Sequence, residues 1–431
     1  MIQATLSSEG SVPAPLDAVT LLTGGADKPY AYGLVNALMS DVAALDVVGN
    51  DELDCPEFRN APNVRYLNFR GDQRQNANFA TKALRILKYY AHLIRYAATA
   101  KPRLFHILWN NKFEYFDRTL LMLWYRAFGK TIVLTLHNVN IRKRDRTDSM
   151  LNRFTLRIQY RLADHLFVHT EKMKQELIEE FIVETDKITV IPFGINNAVP
   201  NTQITGMQAR HQLGFSDREK IILFFGNIAP YKGLEYLVTA FHQLMHVHDD
   251  YRLVIAGRPK NCEQYWSEIR HEIADDVLQG RVLLRDMFIR DEDTELYMKA
   301  ADVLVLPYRY IYQSGALFLG YSFGLPVLAA DVGTLRDEIV EGKTGFVFRP
   351  EDPEDLARAM DRYFTSELYA DLETRRREIK DYAAVRNSWT IVGQRTIEVY
   401  TSLLHGTSRK KRDRSRSGAL ANAKVNDRLA G

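Results

Sequence analysis

The stretch KIILFFGNIAPYKGLEYLVTAF, residues 220–241, decides the fold class of this chain. It opens with the apolar run 221–225, passes through a turn that contains Gly, Asn and Pro, and ends in a segment whose apolar residues recur at helical spacing. A buried strand, a short loop and an amphipathic helix in this order form the repeating part of an α/β protein.

The same alternation recurs along nearly the whole chain. Continuous Val, Ile and Leu runs separated by amphipathic segments indicate parallel sheets that are covered by helices on both faces. The sequence therefore predicts an α/β protein of two doubly wound, Rossmann-like domains, which fits its 431 residues. Ligands of such domains bind at the carboxyl ends of the strands, here in the cleft between the domains. The predicted strands are DAVTLLTG, LDVVG, VRYLNF, LFHILW, TIVLTLH, HLFVHT and KITVIPFG, then KIILFFG, YRLVIAG, RVLLRD, DVLVLPY, LPVLAAD and GFVFRP.

We assign residues 17–198 to the first domain and 199–385 to the second, with the segment 195–206 as the linker. Residues 1–16 form an N-terminal extension without the basic-then-apolar pattern of a secretory signal. The segment 406–431 lacks an apolar face and is predicted to be a disordered basic tail. Its KKRDRSR run could bind nucleic acid or membrane, although a solubilising tail is favoured.

Composition narrows the classes of function. Cys55 and Cys262 are the two cysteines, far apart and without metal-ligand spacing, so a reducing, cytoplasmic setting is expected. No apolar run approaches the roughly 20 residues that cross a bilayer.

Positive charge is concentrated in one part of the chain. Residues Arg74–Arg161 hold 18 Lys/Arg and four acidic residues, a local charge of +14, whereas the whole chain carries +3. Such a surface attracts phosphates, acidic lipids or nucleic acid. The segment 80–105 interleaves basic with apolar residues, which is typical both of a helix on an anionic membrane and of a helix packed on its own sheet.

Two strand–loop–helix junctions have the chemistry of a diphosphate site. Lys232 precedes a predicted helix, where an ammonium group beside free helix N–H groups suits a phosphate oxygen. Ser314, Gly315 and Ala316 would present backbone N–H groups at a second helix start. The structural alternatives are a surface lysine that packs its stem and a serine that serves as an N-cap.

Two features of the first half point to the same cleft. His137 follows a predicted strand and so faces the cleft, or else caps a neighbouring helix. Gly24-Gly25 follows the first strand and predicts a tight turn near a substrate, but it lacks the spacing of a dinucleotide-binding loop. Asp291 and Asp293 match a metal-binding DxD pattern, yet carboxylates at a helix start explain them better. No metal or other cofactor is expected.

These stretches resemble the retaining, nucleotide-sugar-dependent glycosyltransferases of the GT-B architecture, specifically family 4. The resemblance covers about residues 17–405 and is strongest in the second domain. The stretches that carry it are GNIAPYKGLEYLVTAF, RLVIAGRP, ADVLVLPY, TLHNV, HLFVHTEKMKQEL, VIPFGI and the long run SGALFLGYSFGLPVLAADVGTLRDEIVEGKTGFVFRPEDPEDLARAM.

The resemblance implies roles for individual residues. Lys232 and the helix start at Ser314-Gly315-Ala316 would hold the donor diphosphate, and Ile289 would read the base through its backbone. His137 would lie near the transferred sugar and, with Lys232, would be catalytic. Gly24 and Gly25 would lie beside the donor phosphates and the acceptor. Residues 386–405 would form a helix that crosses back onto the first domain.

The chain departs from the family pattern at three places. Gly226-Asn227 stands where the family commonly has Gly-Arg, and by position these two residues would still bind the donor. Ile311 and Leu319 stand at the positions of two family glutamates, which touch the sugar and the ribose. Tyr312, Gln313 and Ser314 are the polar groups available to replace the first glutamate.

The predicted activity is transfer of a hexose, with retention, from a nucleoside diphosphate sugar to a glycan or lipid-linked acceptor. The +14 segment suggests an enzyme of exopolysaccharide or glycolipid assembly at the inner face of the plasma membrane. Nucleic acid is not an expected partner. The alternative is a catalytically altered nucleotide-sugar-binding or scaffolding protein, motivated by the missing glutamates.

Overall fold

The structure of the protein, a computed structural model, describes residues 16–25, 28–73, 78–144, 147–196 and 198–405, without the Arg144 side chain. The extension predicted for 1–16, except Leu16, and the tail predicted for 406–431 lie outside the described residues.

The first domain is built on a seven-stranded parallel sheet with the strand order β3-β2-β1-β4-β5-β6-β7. Its strands are β1 Leu16–Leu22, β2 Val42–Gly49, β3 Val64–Asn68, β4 Leu104–Ile107, β5 Thr131–Leu136, β6 His165–Val168 and β7 Ile188–Val190. Its helices are α1 Lys28–Leu38, α2 Pro56–Asn60, α3 Phe79–Thr99, α4 Glu114–Phe116, α5 Met122–Ala127, α6 Ile141–Arg144, α7 Met150–Leu162 and α8 Glu171–Phe181, with a π-helical turn at Asp117–Leu121.

The second domain is built on a six-stranded parallel sheet with the strand order β10-β9-β8-β11-β12-β13. Its strands are β8 Lys220–Phe225, β9 Tyr251–Ala256, β10 Val282–Arg285, β11 Val303–Leu306, β12 Val327–Ala330 and β13 Gly345–Phe348. Its helices are α9 Gly206–Leu213, α10 Leu234–Met245, α11 Glu263–Glu272, α12 Ala274–Leu278, α13 Asp291–Ala300, α14 Gly315–Ser322, α15 Leu335–Glu338, α16 Pro353–Phe364, α17 Glu367–Ala370 and α18 Leu372–Arg386, followed by α19 at 389–405.

The prediction of two doubly wound α/β domains is confirmed, and every apolar run predicted as a strand contains one. In each sheet the strand order reverses direction beside the first strand, so consecutive crossovers place helices on both faces. In the first domain, α1, α2 and α19 cover one face of the sheet, and α3, α5, α7 and α8 cover the other.

The chain returns to the first domain through a slot made by two glycines. Trp389 starts α19, and its indole Nε1 donates to the Ile195 carbonyl at 2.8 Å. A Cβ placed on Gly33 would lie 2.0 Å from Trp389 Cε2, and one placed on Gly194 would lie 2.3 Å from the same atom. The slot therefore requires both glycines.

Contacts farther along α19 continue this packing. Val392 and Tyr400 are fully buried in the core beneath the first sheet. The Tyr400 hydroxyl lies 2.5 Å from Nδ1 of His106, which sits in the middle of β4. The last helix is thus part of the core of the first domain.

Gly33→Ala tests the slot. Alanine in a helix interior is normally favoured over glycine by about 1 kcal/mol. Here the added methyl group would overlap the Trp389 ring, and overpacking of this kind costs about 1–3 kcal/mol. We therefore expect a lower free energy of unfolding, measured by urea denaturation.

The matched comparison is Gly33→Ala made in a Trp389→Leu variant, in which the indole ring is absent. In that background Gly33→Ala should be neutral or stabilising, because only helix propensity then distinguishes the two residues. Equal destabilisation in both backgrounds would show that the indole does not set the cost.

Candidate active site

A cavity of about 250 Å³ lies where the carboxyl ends of the two sheets face each other. The first domain contributes the start of α1 and the segment after β7, and the second contributes the end of β8, the loop after it and the start of α14. The lining residues are Pro29, Tyr30, Phe193, Gly194, Asn196, Phe225, Gly226, Asn227, Lys232, Gly315, Ala316 and Leu319.

Lys232 is the one formally charged residue among the described residues that line this cavity. It ends the 3₁₀ turn Pro230–Lys232 and is buried, with Nζ 5.3 Å from the centroid of the Tyr308 ring. A Cβ placed on Gly226, whose φ is +105°, would lie 3.0 Å from Nζ. The absence of a side chain at 226 therefore makes room for the ammonium group, which favours an anionic ligand.

The start of α14 supplies the second feature suited to an anion. Gly315 and Ala316 line the cavity, and a Cβ placed on Gly315 would meet nothing within 4 Å. The first N–H groups of a helix lack partners within the helix and carry its positive dipole end. Ser314 holds the N-cap position, but its hydroxyl makes no capping bond and lies 3.4 Å from the Tyr308 hydroxyl.

The loops after β8 and β11 support each other. The backbone N–H of Arg309 donates to the Tyr231 carbonyl oxygen at 2.9 Å. Gly233 adopts φ +63°, and a Cβ there would lie 2.0 Å from the Pro307 carbonyl oxygen. These contacts set the relative positions of Lys232 and the α14 start.

His137 is enclosed by aromatic rings. It stacks on Trp109 at a centroid distance of 4.1 Å and an interplanar angle of 2°, and it meets Tyr30 edge-on at 4.6 Å. Its Nδ1 shares a hydrogen bond of 3.1 Å with His169, whereas its Nε2 is buried without a hydrogen-bond partner among the described residues. Burial, reinforced by the neighbouring His169 and His106, lowers the pKa of His137 well below its ordinary value. The imidazole is thus neutral at pH 7.

The Gly24-Gly25 turn fits closely against its neighbours. Both glycines have positive φ, and a Cβ on Gly24 would lie 2.5 Å from the Trp109 carbonyl oxygen. A Cβ on Gly25 would lie 2.2 Å from Nη1 of Arg70, which follows β3 and donates to Asn111 Oδ1 at 3.2 Å. Arg70 was not predicted as a site residue, although its position just after the end of β3 could have indicated it.

The side chains at the positions of the two missing glutamates lie in different surroundings. Leu319 lines the cavity, so an apolar side chain stands where the family has its second glutamate. Ile311 packs on the core of the second domain. Tyr312 is buried in the core of the first domain and donates to Glu176 of α8, which makes it a contact between the domains. The Gln313 Oε1 is buried without a hydrogen-bond partner in the described part of the chain.

Predicted residues thus fall into two groups. Gly226, Asn227, Lys232, Gly315 and Ala316 meet at one cavity. The others lie outside its lining: Gly24, Gly25, His137, Ile289, Gln313 and Ser314. Ile289 is partly buried in the loop between β10 and α13. Five further residues of the lining were not predicted from the sequence: Pro29, Tyr30, Phe193, Gly194 and Asn196.

A larger cavity of about 500 Å³ is lined by the linker, α18 and the C-terminal end of α14. Its walls include Ser322 and Phe323, at the negative end of the α14 dipole. Lys380 also lines this cavity, but the smaller cavity combines a lysine with the positive end of α14 and is therefore the better candidate for a phosphate ligand.

The DxD carboxylates are engaged in ion pairs. Asp291 accepts from Lys28 of the first domain at 3.0 Å, and Asp293 accepts from Arg290 at 2.8 Å. Within the ranges that the structure describes, no group of three or more His, Cys, Asp or Glu side chains is arranged to hold a metal ion. In the same ranges, no helix combines the length and the apolar run needed to cross a bilayer.

Models of known protein families match both domains. The model described as Glycosyltransferase Family 4 matches residues 28–199, and the model described as Glycosyl transferases group 1 matches residues 219–366. An uncharacterized glycosyltransferase of Methanocaldococcus jannaschii is 26% identical over 234 residues, or 54% of this chain and 58% of the relative. A D-inositol 3-phosphate glycosyltransferase of Acidothermus cellulolyticus is 29% identical over 216 residues, or 49% of this chain and 48% of the relative. The chain thus spans about half the length of these curated relatives.

Solved structures share the fold. Sucrose-phosphate synthase from Thermosynechococcus elongatus superposes with a TM-score of 0.71 at 18% identity, over 91% of this chain and 100% of the other. HepE of Anabaena, solved in complex with UDP-glucose, superposes with a TM-score of 0.67 at 17% identity, over 90% of this chain and 100% of the other.

The buried histidines predict how stability depends on pH. Burial lowers the pKa of His106 from 6.5 to about 3 and that of His169 to about 4. Below pH 6.5 the unfolded chain binds protons that the folded chain does not. The free energy of unfolding therefore decreases as the pH is lowered. At pH 5 the loss is about 2 kcal/mol for each such histidine.

His106→Gln should reduce the loss of stability between pH 7 and pH 5, measured by urea denaturation at each pH. The exposed His271→Gln is the matched control and should leave the slope unchanged. A slope for His106→Gln equal to that of the wild type would contradict the assignment.

Proposed function

We propose that this chain, which belongs to glycosyltransferase family 4 and has the GT-B architecture, transfers a hexose from a nucleoside diphosphate sugar to an acceptor hydroxyl. One observation carries the proposal: Lys232 and the start of α14 line the same cavity between the two domains. An ammonium group and helix N–H groups that converge from two strand ends suit a diphosphate.

The same groups would act on the reaction. When the glycosidic bond breaks, negative charge develops on the leaving diphosphate. Lys232 and the α14 N–H groups would stabilise that charge, and such terms are worth several kcal/mol in a water-excluded site. We propose retention through same-face attack assisted by the leaving phosphate, on the strength of family membership.

The donor hydroxyl groups need partners other than the two family glutamates. The cavity offers the carboxamides of Asn196 and Asn227 and the backbone around Gly194. We propose that these groups hold the sugar or ribose, because Leu319 can offer only apolar contact. UDP-glucose is a first donor to test, since HepE was solved with it.

We propose a lipid-linked or polysaccharide-precursor acceptor that bears phosphate, in exopolysaccharide or glycolipid assembly at the inner face of the plasma membrane. Arg70 beside the Gly24-Gly25 turn supports an anionic acceptor. Its Nε is buried without a hydrogen-bond partner among the described residues. The +14 charge of the segment Arg74–Arg161 supports it as well.

A donor screen followed by a turnover assay tests the function. Thermal shift against UDP-, GDP- and ADP-sugars identifies the donor, because a bound ligand raises apparent stability. NMR of the product formed with lipid-linked and soluble acceptors then gives the anomeric configuration. Binding without transfer or hydrolysis across the panel would overturn the enzymatic proposal.

Lys232→Met tests the cavity itself. Methionine keeps an apolar stem against Tyr308 but removes the charge. We expect the Kd for the matching nucleoside diphosphate to rise about 10- to 100-fold, since a charge-assisted hydrogen bond is worth about 1.5–3 kcal/mol. Isothermal titration measures this change. The exposed Lys260→Met is the matched control, and unchanged affinity in Lys232→Met would remove the lysine from the site.

We propose that transfer needs no metal ion. Activity should therefore survive EDTA, and Asp293→Asn should retain turnover, because this carboxylate already pairs with Arg290. Strong inhibition by EDTA that Mg²⁺ reverses would instead assign the DxD carboxylates to catalysis.

A further inference from the structure

Exposed apolar side chains are concentrated in one region of the first domain. Phe79, Leu87, Met150 and Phe154 are 86%, 63%, 89% and 60% exposed. We use the name "rim" for the following exposed residues of α3, the residue before α4, α4 itself, the π-helical turn, α6 and α7: Phe79, Leu84, Leu87, Phe113, Tyr115, Leu120, Ile141, Met150, Leu151 and Phe154. Large exposed apolar patches mark interaction sites.

Contacts between the helices make the rim continuous. Phe113 stacks on Tyr90 of α3 at 5.3 Å, and the Arg142 guanidinium lies 5.2 Å from the centroid of the Tyr115 ring. Arg118 donates to Asn152 of α7 at 2.7 Å. The rim therefore runs from α3 across α4 to α6 and α7.

The topology places the rim on the cleft side. A helix that connects parallel strands runs antiparallel to them, so its N-terminal end lies at the carboxyl edge of the sheet. The rim residues occupy the N-terminal halves of α3 and α7 and the segments that open α4 and α6. The candidate cavity lies at that same edge of the sheet.

Helix α3 shows that the rim is additional to ordinary packing. Tyr89, Leu93 and Tyr96 are buried on the side that faces the sheet. At 100° per residue, Leu84, Leu87, Lys88 and Arg95 fall on the opposite side, and Leu84 and Leu87 are more than half exposed. The helix therefore has one apolar face for its own sheet and a second strip that mixes leucine with basic residues.

Basic side chains accompany the exposed apolar ones. Lys82, Lys88, Lys112 and Arg157 are exposed and have no carboxylate within ion-pairing distance in the described part of the chain. Glu114 and Asp148 are held in ion pairs with arginines, and Asp117 is buried and accepts from the Tyr90 hydroxyl at 2.9 Å. The surface combines apolar area with uncompensated positive charge, which favours an anionic bilayer over a soluble acidic partner.

We propose that the rim docks on an anionic lipid bilayer, with its leucine and aromatic side chains at the boundary between head groups and acyl chains. The basic residues contact lipid phosphates. This orientation turns the cleft toward the membrane and deepens the proposed function, because it presents a lipid-linked acceptor directly to the cavity.

Sedimentation of the full chain with vesicles tests the docking. We expect binding to 7:3 POPC:POPG vesicles at low salt and release at high salt. Lys88→Glu/Lys112→Glu/Arg157→Glu should lower the partition coefficient at least about 100-fold. The matched control Arg270→Glu/Lys343→Glu/Arg377→Glu changes net charge equally on exposed residues of the second domain.

The apolar part of the rim has its own matched pair. Leu84→Ser/Leu87→Ser/Phe154→Ser should weaken binding at least about 10-fold. Val247→Ser/Leu278→Ser/Val385→Ser, at residues that are 77%, 85% and 74% exposed, should leave it unchanged. Circular dichroism and Tm establish that each variant is folded.

A site-resolved probe separates the rim from the basic segment 406–431. In a Cys55→Ser background, an NBD label on Leu151→Cys should shift to the blue with vesicles, while one on Leu278→Cys should not. The proposal would be overturned by equal losses of vesicle binding in the rim and control variants, or by an NBD label at position 151 whose emission does not change with vesicles. Dimerisation that depends on the rim, without lipid binding, would overturn it as well. Vesicle binding needs no donor, so failure of glycosyl transfer leaves this result readable.

Discussion

The insertion of Trp389 between Gly33 and Gly194 holds together the elements that form one side of the cleft. Gly33 belongs to α1, Gly194 to the segment after β7, and Trp389 to the helix that returns from the second domain. The same indole meets the Tyr30 ring at a centroid distance of 5.2 Å, and Tyr30 lines the cavity and abuts His137. One packed side chain thus sets the domain crossing and the first-domain wall of the candidate site.

One contact between the domains is an exposed ion pair. The Lys28–Asp291 pair is 40% and 31% exposed, and exposed pairs contribute about 0–1 kcal/mol. The cavity of about 250 Å³ is below the range of about 300–1,000 Å³ typical of ligand pockets. These two features would allow the domains to separate to admit a ligand and to close again around it.

Positive charge is distributed differently on the two sides of the cleft. On the second-domain side, Lys232 and a helix start form a small, buried positive site. On the first-domain side, the positive charge is spread over the outer surfaces of α3 and α7, together with exposed apolar residues. A buried charge suits one diphosphate at a fixed position, whereas a dispersed one suits a large anionic surface.

The sequence alone determined the strands and the two-domain architecture, and it placed Lys232 and Gly315-Ala316 at strand ends that face one cleft. These features depend on local patterns, because an apolar run, a glycine turn and a helix start each lie within a few neighbouring residues. Gly226 and Lys232 meet in one βα loop for the same reason.

Only the tertiary structure decided which distant residues share the cavity and which face of each helix stays exposed. Tyr30 and Phe193 are far apart in the chain, so no local pattern indicates that both line the site. The pattern of α3 fitted both a membrane helix and a packed one, and the structure shows a face buried against the sheet with a second strip outside. Tyr312, a candidate sugar ligand by position, instead bridges the domains through Glu176. Contacts between residues far apart in the chain are set by packing, which periodicity within one segment does not encode.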